Sequence, residues 1–296
     1  DAVIAVTGCY AQTSPGEVLD IPGVDLVVGT RDRKRIAELV KEAEKSPTPI
    51  NIVKDIMAEE LFEEMPLQDY QSRTRAFVKI QEGCSNFCTY CIIPYARGPL
   101  KSREPVSVVQ EVDRLVNEGF AEIVLTGIHI GAYGVDLGGN IDLAGLVVKV
   151  AMVPGLHRLR LGSVEPLDIS PRLIRAAAEI STVCRHLHIP LQSGDDYVLD
   201  RMNRNYDTAE FSRLVSAIKT HIPEIALTTD VIVGFPGETD EHFHNTCDFI
   251  KKMGFSKTHV FKYSPRRGTP AANYTGQVSA VEKERRSQKL IDIDRE

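Results

Sequence analysis

From Ala76 onward the chain repeats one pattern six times, a short apolar run followed by an amphipathic stretch of helical period. "AFVKIQEG" reads as a strand and "PVSVVQEVDRLVNEG" as its helix, with Pro105 near the first turn and Gly119 as the stop. The pairs "AEIVLTG" with "IDLAGLVVKVAMV" and "HRLRLGS" with "SPRLIRAAAEI" follow. "HLHIP" precedes a helix over Asp207 to His221, "ALTTDVIVG" one over Asp240 to Met253, and "KTHVFKY" a basic amphipathic helix from about Val278. Such alternation predicts an α/β fold of parallel βα units. Six units are too few for a closed eight-stranded barrel and enough for a partial, (β/α)6 TIM-like one.

Barrel-type sites sit at the C-terminal ends of the strands. Here every strand runs into an unusual polar or glycine-rich stretch: "QEGCSNFC", "LTGIHIGAYG", "LGSVEP", "HIPLQSG", "TTDVIVGFPGET" and "FKYSPRRGTP". Loops around a site have this character, and ordinary connections need not.

Upstream, "AVIAVTG" and "VDLVVGT" read as strands, "SPGEVLDIPG" as a short helix, and Asp32 to Glu44 as a longer one. Residues 1–54 are therefore expected to be the later part of a small α/β domain, the remnant of a longer N-terminal one. The acidic, aperiodic stretch 55–73 is expected to be a linker, 74–265 the barrel, and 266–296 a C-terminal segment with its helix. Hydrophobic residues make up 43% and charged residues 26% of the 296, the profile of a globular enzyme. No apolar run reaches membrane-spanning length, so no membrane partner is expected. With no export signal at the start, a cytoplasmic location is expected.

Six cysteines stand at 9, 84, 88, 91, 184 and 247. In a chain this long they are not a disulfide scaffold. "GCSNFCTYC" packs three of them into eight residues, and three readings compete for it. Zinc prefers four protein ligands, usually as two pairs, yet the other cysteines are isolated and the nearest histidine, His129, lies on another strand end. A disulfide leaves one thiol over. An iron–sulfur cluster with three cysteine ligands leaves one iron open for an exogenous ligand. A non-catalytic zinc or iron–sulfur module that binds RNA stands as the competing class, and it leaves the glycine-rich strand ends unexplained. The net charge of −6 gives no general attraction to nucleic acid, and the basic runs at Arg31–Arg35 and Lys283–Lys289 read first as solvated helix faces. His129, His186, His188, His242 and His259 read as structural or solvent-facing, and Cys184 and Cys247 as packing residues.

The C-x3-C-x2-C spacing at the end of the first barrel strand resembles the radical S-adenosylmethionine superfamily. In that family Cys84, Cys88 and Cys91 would hold a 4Fe–4S cluster whose open iron is chelated by S-adenosylmethionine. An electron then splits the carbon–sulfur bond and releases a 5′-deoxyadenosyl radical. By the same resemblance Tyr90 packs on the adenine, and Thr126 and Gly127 hold the methionine amino group. Ser163 and Glu165 offer a hydroxyl and a carboxylate to ribose or ammonium. Gln192 lines the rim, and the turn with Gly234 and Pro236 lies near adenine and ribose. Each has a plainer role as well: core packing for Tyr90, a turn at Gly127, and for "GFPGET" a helix start capped by Thr239.

Longer runs narrow the likeness. "VTGCYAQ", "GCSNFCTYCIIPYARG", "HIPLQSGDDYVLDRMNRNY", "TDVIVGFPGET" and "YSPRRGTPAA" are similar to the methylthiotransferase family of radical S-adenosylmethionine enzymes. That resemblance implies a second 4Fe–4S cluster, with Cys9 as one of three ligands and the other two upstream of Asp1. It also implies an RNA-binding β-barrel domain after Glu296. "CIIPYARGPLKSRE" looks most like the branch that thiomethylates carbon 2 of threonylcarbamoyladenosine beside the tRNA anticodon. Sister branches act on isopentenyladenosine in tRNA or on a ribosomal protein aspartate. The implied chemistry uses two molecules of S-adenosylmethionine, a tRNA anticodon loop with an unstacked base, and a reductant protein such as flavodoxin or ferredoxin. Arg97, Arg266 and Arg267 are the candidate substrate contacts.

Overall fold

The computed structural model describes residues 2–59, 61–65 and 74–295. The chain forms two compact units: Asp1–Gln68 with Glu82–Asn86 and Ile92–Lys101, and Asp69–Gln81 with Phe87–Cys91 and Ser102–Glu296.

The first unit is a parallel sheet of β1 (Ala5–Thr7), β2 (Leu26–Val28) and β3 (Ile50–Asn51), with helices α1 (Cys9–Thr13), α2 (Pro15–Leu19) and α3 (Ile36–Ala43). Alternation along β2 serves both faces of the sheet. Val27 packs with Ala11, Val18 and Val24, while Leu26 and Val28 pack with Leu39 and Ala43. The helix expected from Asp32 starts later. Asp32 sits at φ +58, a left-handed conformation that cannot open an α-helix, and a 3-10 turn over Arg33–Arg35 leads into α3. Within the expected linker, Asp55 caps a 3-10 turn over Ile56–Ala58 and Ile56 is buried; residue 60 and residues 66–73 lie outside the described residues. A short helix α4 (Ile93–Arg97) also belongs to this unit.

The second unit begins its sheet with β4 (Arg75–Lys79), and the chain passes from one unit to the other at the short strands β5 (Gln81–Glu82) and β6 (Lys101–Ser102). Helix α5 (Pro105–Asn117) leads to β7 (Glu122–Thr126), α6 (Leu143–Ala151) to β8 (Arg158–Leu161), and α7 (Pro171–Glu179) to β9 (His186–His188). Two helices, α8 (Asp196–Arg201) and α9 (Thr208–His221), precede β10 (Ala226–Val233). Then α10 (Asp240–Met253), β11 (Lys257–Lys262) and α11 (Ala280–Arg295) complete it. Strands β4, β7 and β8 pair in parallel, as do β9, β10 and β11. Parallel bridges Leu159–Val183 and Ser163–His188 join the two sets. The order is thus β4-β7-β8-β9-β10-β11, six sequential parallel strands, as the repeated pattern predicts.

Period-two patterning sorts this sheet into two faces. Ala76, Val78, Ile123, Leu125, Leu159, Leu187, Leu227 and Val231 are buried in one core with Val112, Val147, Leu173, Phe211 and Phe243 from the helices. The alternate residues form a second, largely polar face: Arg75, Lys79, Glu122, Thr126, Arg158, Arg160, His186, His188, Thr228 and Asp230. At its N-terminal rim Arg75, Arg158 and Arg160 converge on Glu122, at 2.8, 3.0 and 3.1 Å. Burial pushes the Glu122 carboxyl up, but these three guanidiniums outweigh it and hold the group below the usual carboxylate range.

Candidate functional site

The C-terminal strand ends of the second unit carry most of the residues singled out above. Segment Phe87–Cys91 is held there by the turn that ends α8. Thr89 N–H donates to Met202 O at 3.0 Å, the Thr89 hydroxyl to Arg201 O at 2.8 Å, and Asn203 Nδ2 to Phe87 O at 3.2 Å. Asn203 turns the chain at φ +58, a conformation Asn tolerates better than most residues. Cys91 N–H donates to Cys88 O at 2.9 Å, closing a turn between two of the three clustered thiols.

Arg204, the next residue, is the hub. Its side chain is 3% exposed and forms a two-pronged pair with Glu165, the shorter prong through Nη2 and the longer, Nη1 to Oε1, at 3.4 Å. Nη1 also reaches Cys88 Sγ at 3.3 Å, and Nε donates to the Tyr206 hydroxyl at 3.1 Å. Tyr206 in turn donates to Leu191 O at 2.9 Å and Pro190 O at 3.1 Å, tying in the end of β9. Burial alone would lower the Arg204 guanidinium, yet its surroundings, with the Glu165 carboxylate as the anion among them, hold it above its ordinary value. Burial pushes Tyr90 and Tyr206 well up, so both phenols stay protonated. One fully charged guanidinium therefore joins the cysteine loop to the ends of β8 and β9.

Structure thus brings Cys88, Tyr90 and Glu165 together around a residue that pattern reasoning passed over. Tyr90 packs half-buried against Val198, Met202, Phe235, Tyr263 and Ala271. Gln192 takes φ +67 and bridges to β10, its N–H donating to Asp230 O at 2.8 Å. Gly234, at φ +71, opens a turn whose Gly234 and Phe235 N–H groups both donate to the buried Glu238 carboxylate. Pro236 O accepts from Arg201 Nε at 3.2 Å, so α8 braces this turn as well as the cysteine loop. Thr239 and His242 form the capping box that starts α10. Gly127 lacks a side chain because a Cβ would sit 2.8 Å from both Gln81 O and Ile130 Cγ2, and Thr126 O accepts from Ile80 N–H at 2.9 Å. Gln81, fully buried, accepts from the N–H groups of Ile128 and His129. His129 bonds Asp168 at 2.6 Å, and His188 lies between Thr228 (2.8 Å) and Asp230 (3.2 Å). Ser163 is exposed and pairs across to His188, while Arg266 and Arg267 sit on an exposed turn after β11.

The remaining candidates belong to the first unit. Cys84 N–H donates to Gly98 O at 3.1 Å, and Gly83 before it takes φ +76, where a Cβ would strike Pro99 O. Arg97 does not point free into solvent: Nε reaches Cys9 Sγ at 3.1 Å and Nη1 bonds Glu82 at 2.7 Å.

No cysteine is in a disulfide, and among the described residues no three of His, Cys, Asp and Glu converge as the ligands of one metal ion. A four-iron cluster asks for something else, one thiolate at each of several separate irons. The residues fit that group: three thiols within eight residues, and a buried cation with an N–H donor on the sulfur of Cys88, beside which a negatively charged ligand is stabilised. No helix among the described residues is long and apolar enough to cross a membrane.

Comparison with known proteins agrees with this layout. Residues 78–250 match the family model of the Radical SAM superfamily. The chain is 47% identical over 99% of its length to threonylcarbamoyladenosine tRNA methylthiotransferase MtaB of Bacillus subtilis, covering 65% of that protein. It is 40% identical over 99% of its length to tRNA-2-methylthio-N(6)-dimethylallyladenosine synthase of Moorella thermoacetica, covering 66% of it. The chain thus spans about two thirds of the length of these relatives. Among solved structures, the radical S-adenosylmethionine methyltransferase TsrM of Kitasatospora setae shares the fold with a TM-score of 0.56 at 20% identity, over 66% of this chain and 38% of that one. Coproporphyrinogen III oxidase HemN of Escherichia coli does so with 0.56 at 15% identity, over 75% and 52%.

Proposed function

This chain belongs to the radical S-adenosylmethionine superfamily, and from that premise we propose that it is the core of a tRNA methylthiotransferase acting on carbon 2 of threonylcarbamoyladenosine beside the anticodon. The observation that carries the branch is the 47% identity to an enzyme named for that nucleoside, against 40% to one named for the dimethylallyl nucleoside.

In this reading Cys84, Cys88 and Cys91 would be the ligands of a 4Fe–4S cluster that works together with bound S-adenosylmethionine. When bound, these two supply one-electron chemistry that removes hydrogen from the substrate, with two molecules of S-adenosylmethionine consumed per turnover. The chain's own residues bind and orient. Tyr90, Thr126, Gly127, Ser163, Gln192, Gly234 and Pro236 line the strand ends as the S-adenosylmethionine site. Glu165 shares that site while keeping Arg204 in place. The Glu238 side chain holds the Gly234–Phe235 backbone in the shape of the turn.

Cys9 serves as one ligand of a second cluster, and Arg97, bonded to its sulfur, orients it rather than reaching the substrate. Arg266 and Arg267, exposed at a strand end, meet phosphate or the threonyl carboxylate. The domain limits 1–54, 55–73, 74–265 and 266–296, a flavodoxin- or ferredoxin-type reductant and a cytoplasmic location belong to the same proposal.

The test is nucleoside mass spectrometry of tRNA from cells lacking this modification, complemented with the full-length gene. A 2-methylthio group on threonylcarbamoyladenosine is expected. Its appearance on the dimethylallyl nucleoside alone would overturn the branch.

A further inference from the structure

We propose that Arg204 is a positioning residue for the cluster, setting the reduction potential of the centre ligated by Cys88 through its N–H···S contact and its buried positive charge. The inference rests on the reading of Cys88 as a cluster ligand. Three observations carry it. First, Nη1 lies 3.3 Å from Cys88 Sγ, within reach of a hydrogen bond to sulfur. Second, the guanidinium is fixed from two other directions, by both oxygens of Glu165 and by Tyr206, whose hydroxyl accepts from Nε and whose ring centre lies 5.0 Å from Cζ. Third, the turn that carries it, Arg201–Asn203, already holds the backbone of Phe87 and Thr89 on either side of Cys88. The loop and its donor therefore move as one piece.

Reduction adds one negative charge to an iron–sulfur centre. A cation and an N–H donor beside a ligating sulfur stabilise the more negative form and raise the potential, and hydrogen bonds to the sulfurs are among the means by which proteins tune these centres. Glu165 offsets part of the charge of Arg204, while the N–H that reaches the Cys88 sulfur comes from Arg204 itself. A guanidinium is needed rather than an ammonium, because only a planar fork serves Glu165, Tyr206 and Cys88 at once.

The experiment uses the anaerobically reconstituted full chain, with iron and sulfide quantified, circular dichroism to check folding, and the midpoint potential read by spectroscopic redox titration. Wild type, Arg204→Lys and Arg204→Met are compared, with Arg204→Met/Glu165→Gln as the variant that leaves no carboxylate unpaired. At equal iron per chain the potential is expected to fall from wild type to Arg204→Lys and further in both Met variants. A potential that stays or rises in the folded, iron-loaded variants overturns the inference and leaves Arg204 as a strut for Glu165 and Tyr206. Should neither Met variant fold, Arg204→Lys decides alone: a lower potential supports the inference and an unchanged one overturns it. Wild type that takes up no iron would sink the underlying reading of Cys88 instead, so the two failures are distinguishable.

Discussion

Removing the Glu165 carboxylate leaves a guanidinium buried without its counter-ion. Arg204 is 3% exposed and Glu165 24%, so the pair is desolvated on the arginine side and partly wet on the other. Breaking a buried pair by deleting one partner costs about 3–5 kcal/mol, because the remaining charge keeps its desolvation penalty. The partial exposure of Glu165 admits some water, which places Glu165→Ala near the lower end, about 3 kcal/mol. That is a large share of the roughly 5–15 kcal/mol that holds a typical domain folded. Replacing both partners, as in Glu165→Leu/Arg204→Met, removes the orphaned charge and should recover most of the loss. The Tyr206 hydroxyl does not become an orphan in that variant, since it still donates to Leu191 O. Urea titration followed by circular dichroism measures both variants, with the slope checked for constancy. A loss under about 1 kcal/mol in the single variant, or a double variant no more stable than the single, would refute the claim that this pair is a buried unit.

Thr239→Ala removes a side-chain acceptor from the His242 N–H and half of a capping box, so a loss of about 1 kcal/mol in the same titration is expected. Gly83→Ala puts a Cβ at positive φ against Pro99 O; a loss of about 2 kcal/mol or more, with weakened iron uptake, is expected by denaturation and iron analysis. Glu122 is depressed in the folded state, so its contribution is present above the unfolded carboxylate range and is lost as pH falls through its folded value. Glu122→Gln should accordingly be less stable than wild type at neutral pH, with the gap closing on acidification; a constant gap in acid-unfolding curves would speak against the three-arginine cluster.

Much of the fold was legible because burial here follows period. Along β10, residues 226–233, each second side chain is buried, and the sequence "ALTTDVIV" writes that alternation out in Leu227, Thr229, Val231 and Val233. Proline and glycine marked the helix limits, as at Pro105, Pro171 and Gly254. The cysteine spacing and the polar strand ends were equally local signals. What pattern could not reach was the set of contacts between residues far apart in the chain. Arg204 reads as one more solvated charge in "DRMNRNY", and only tertiary structure brings Glu165, 39 residues away, and Cys88, 116 away, to it. Gln81 is similar, a polar residue whose burial makes sense only when Ile128 and His129 supply the N–H groups it accepts from. Arg97 is a candidate substrate contact by resemblance alone, and its bonds to Cys9 and Glu82 are again contacts between distant residues that no local pattern shows. Buried charge is decided by its partner, and partners are not periodic.

The most direct test of the account is product formation at the cysteine loop. Chain reconstituted anaerobically with iron and sulfide, chemically reduced and given S-adenosylmethionine should release 5′-deoxyadenosine, read by mass spectrometry. The product is expected to vanish in Cys84→Ala, Cys88→Ala and Cys91→Ala alike. Zinc in place of iron with no product from wild type, or product that survives loss of any one of these cysteines, would contradict it.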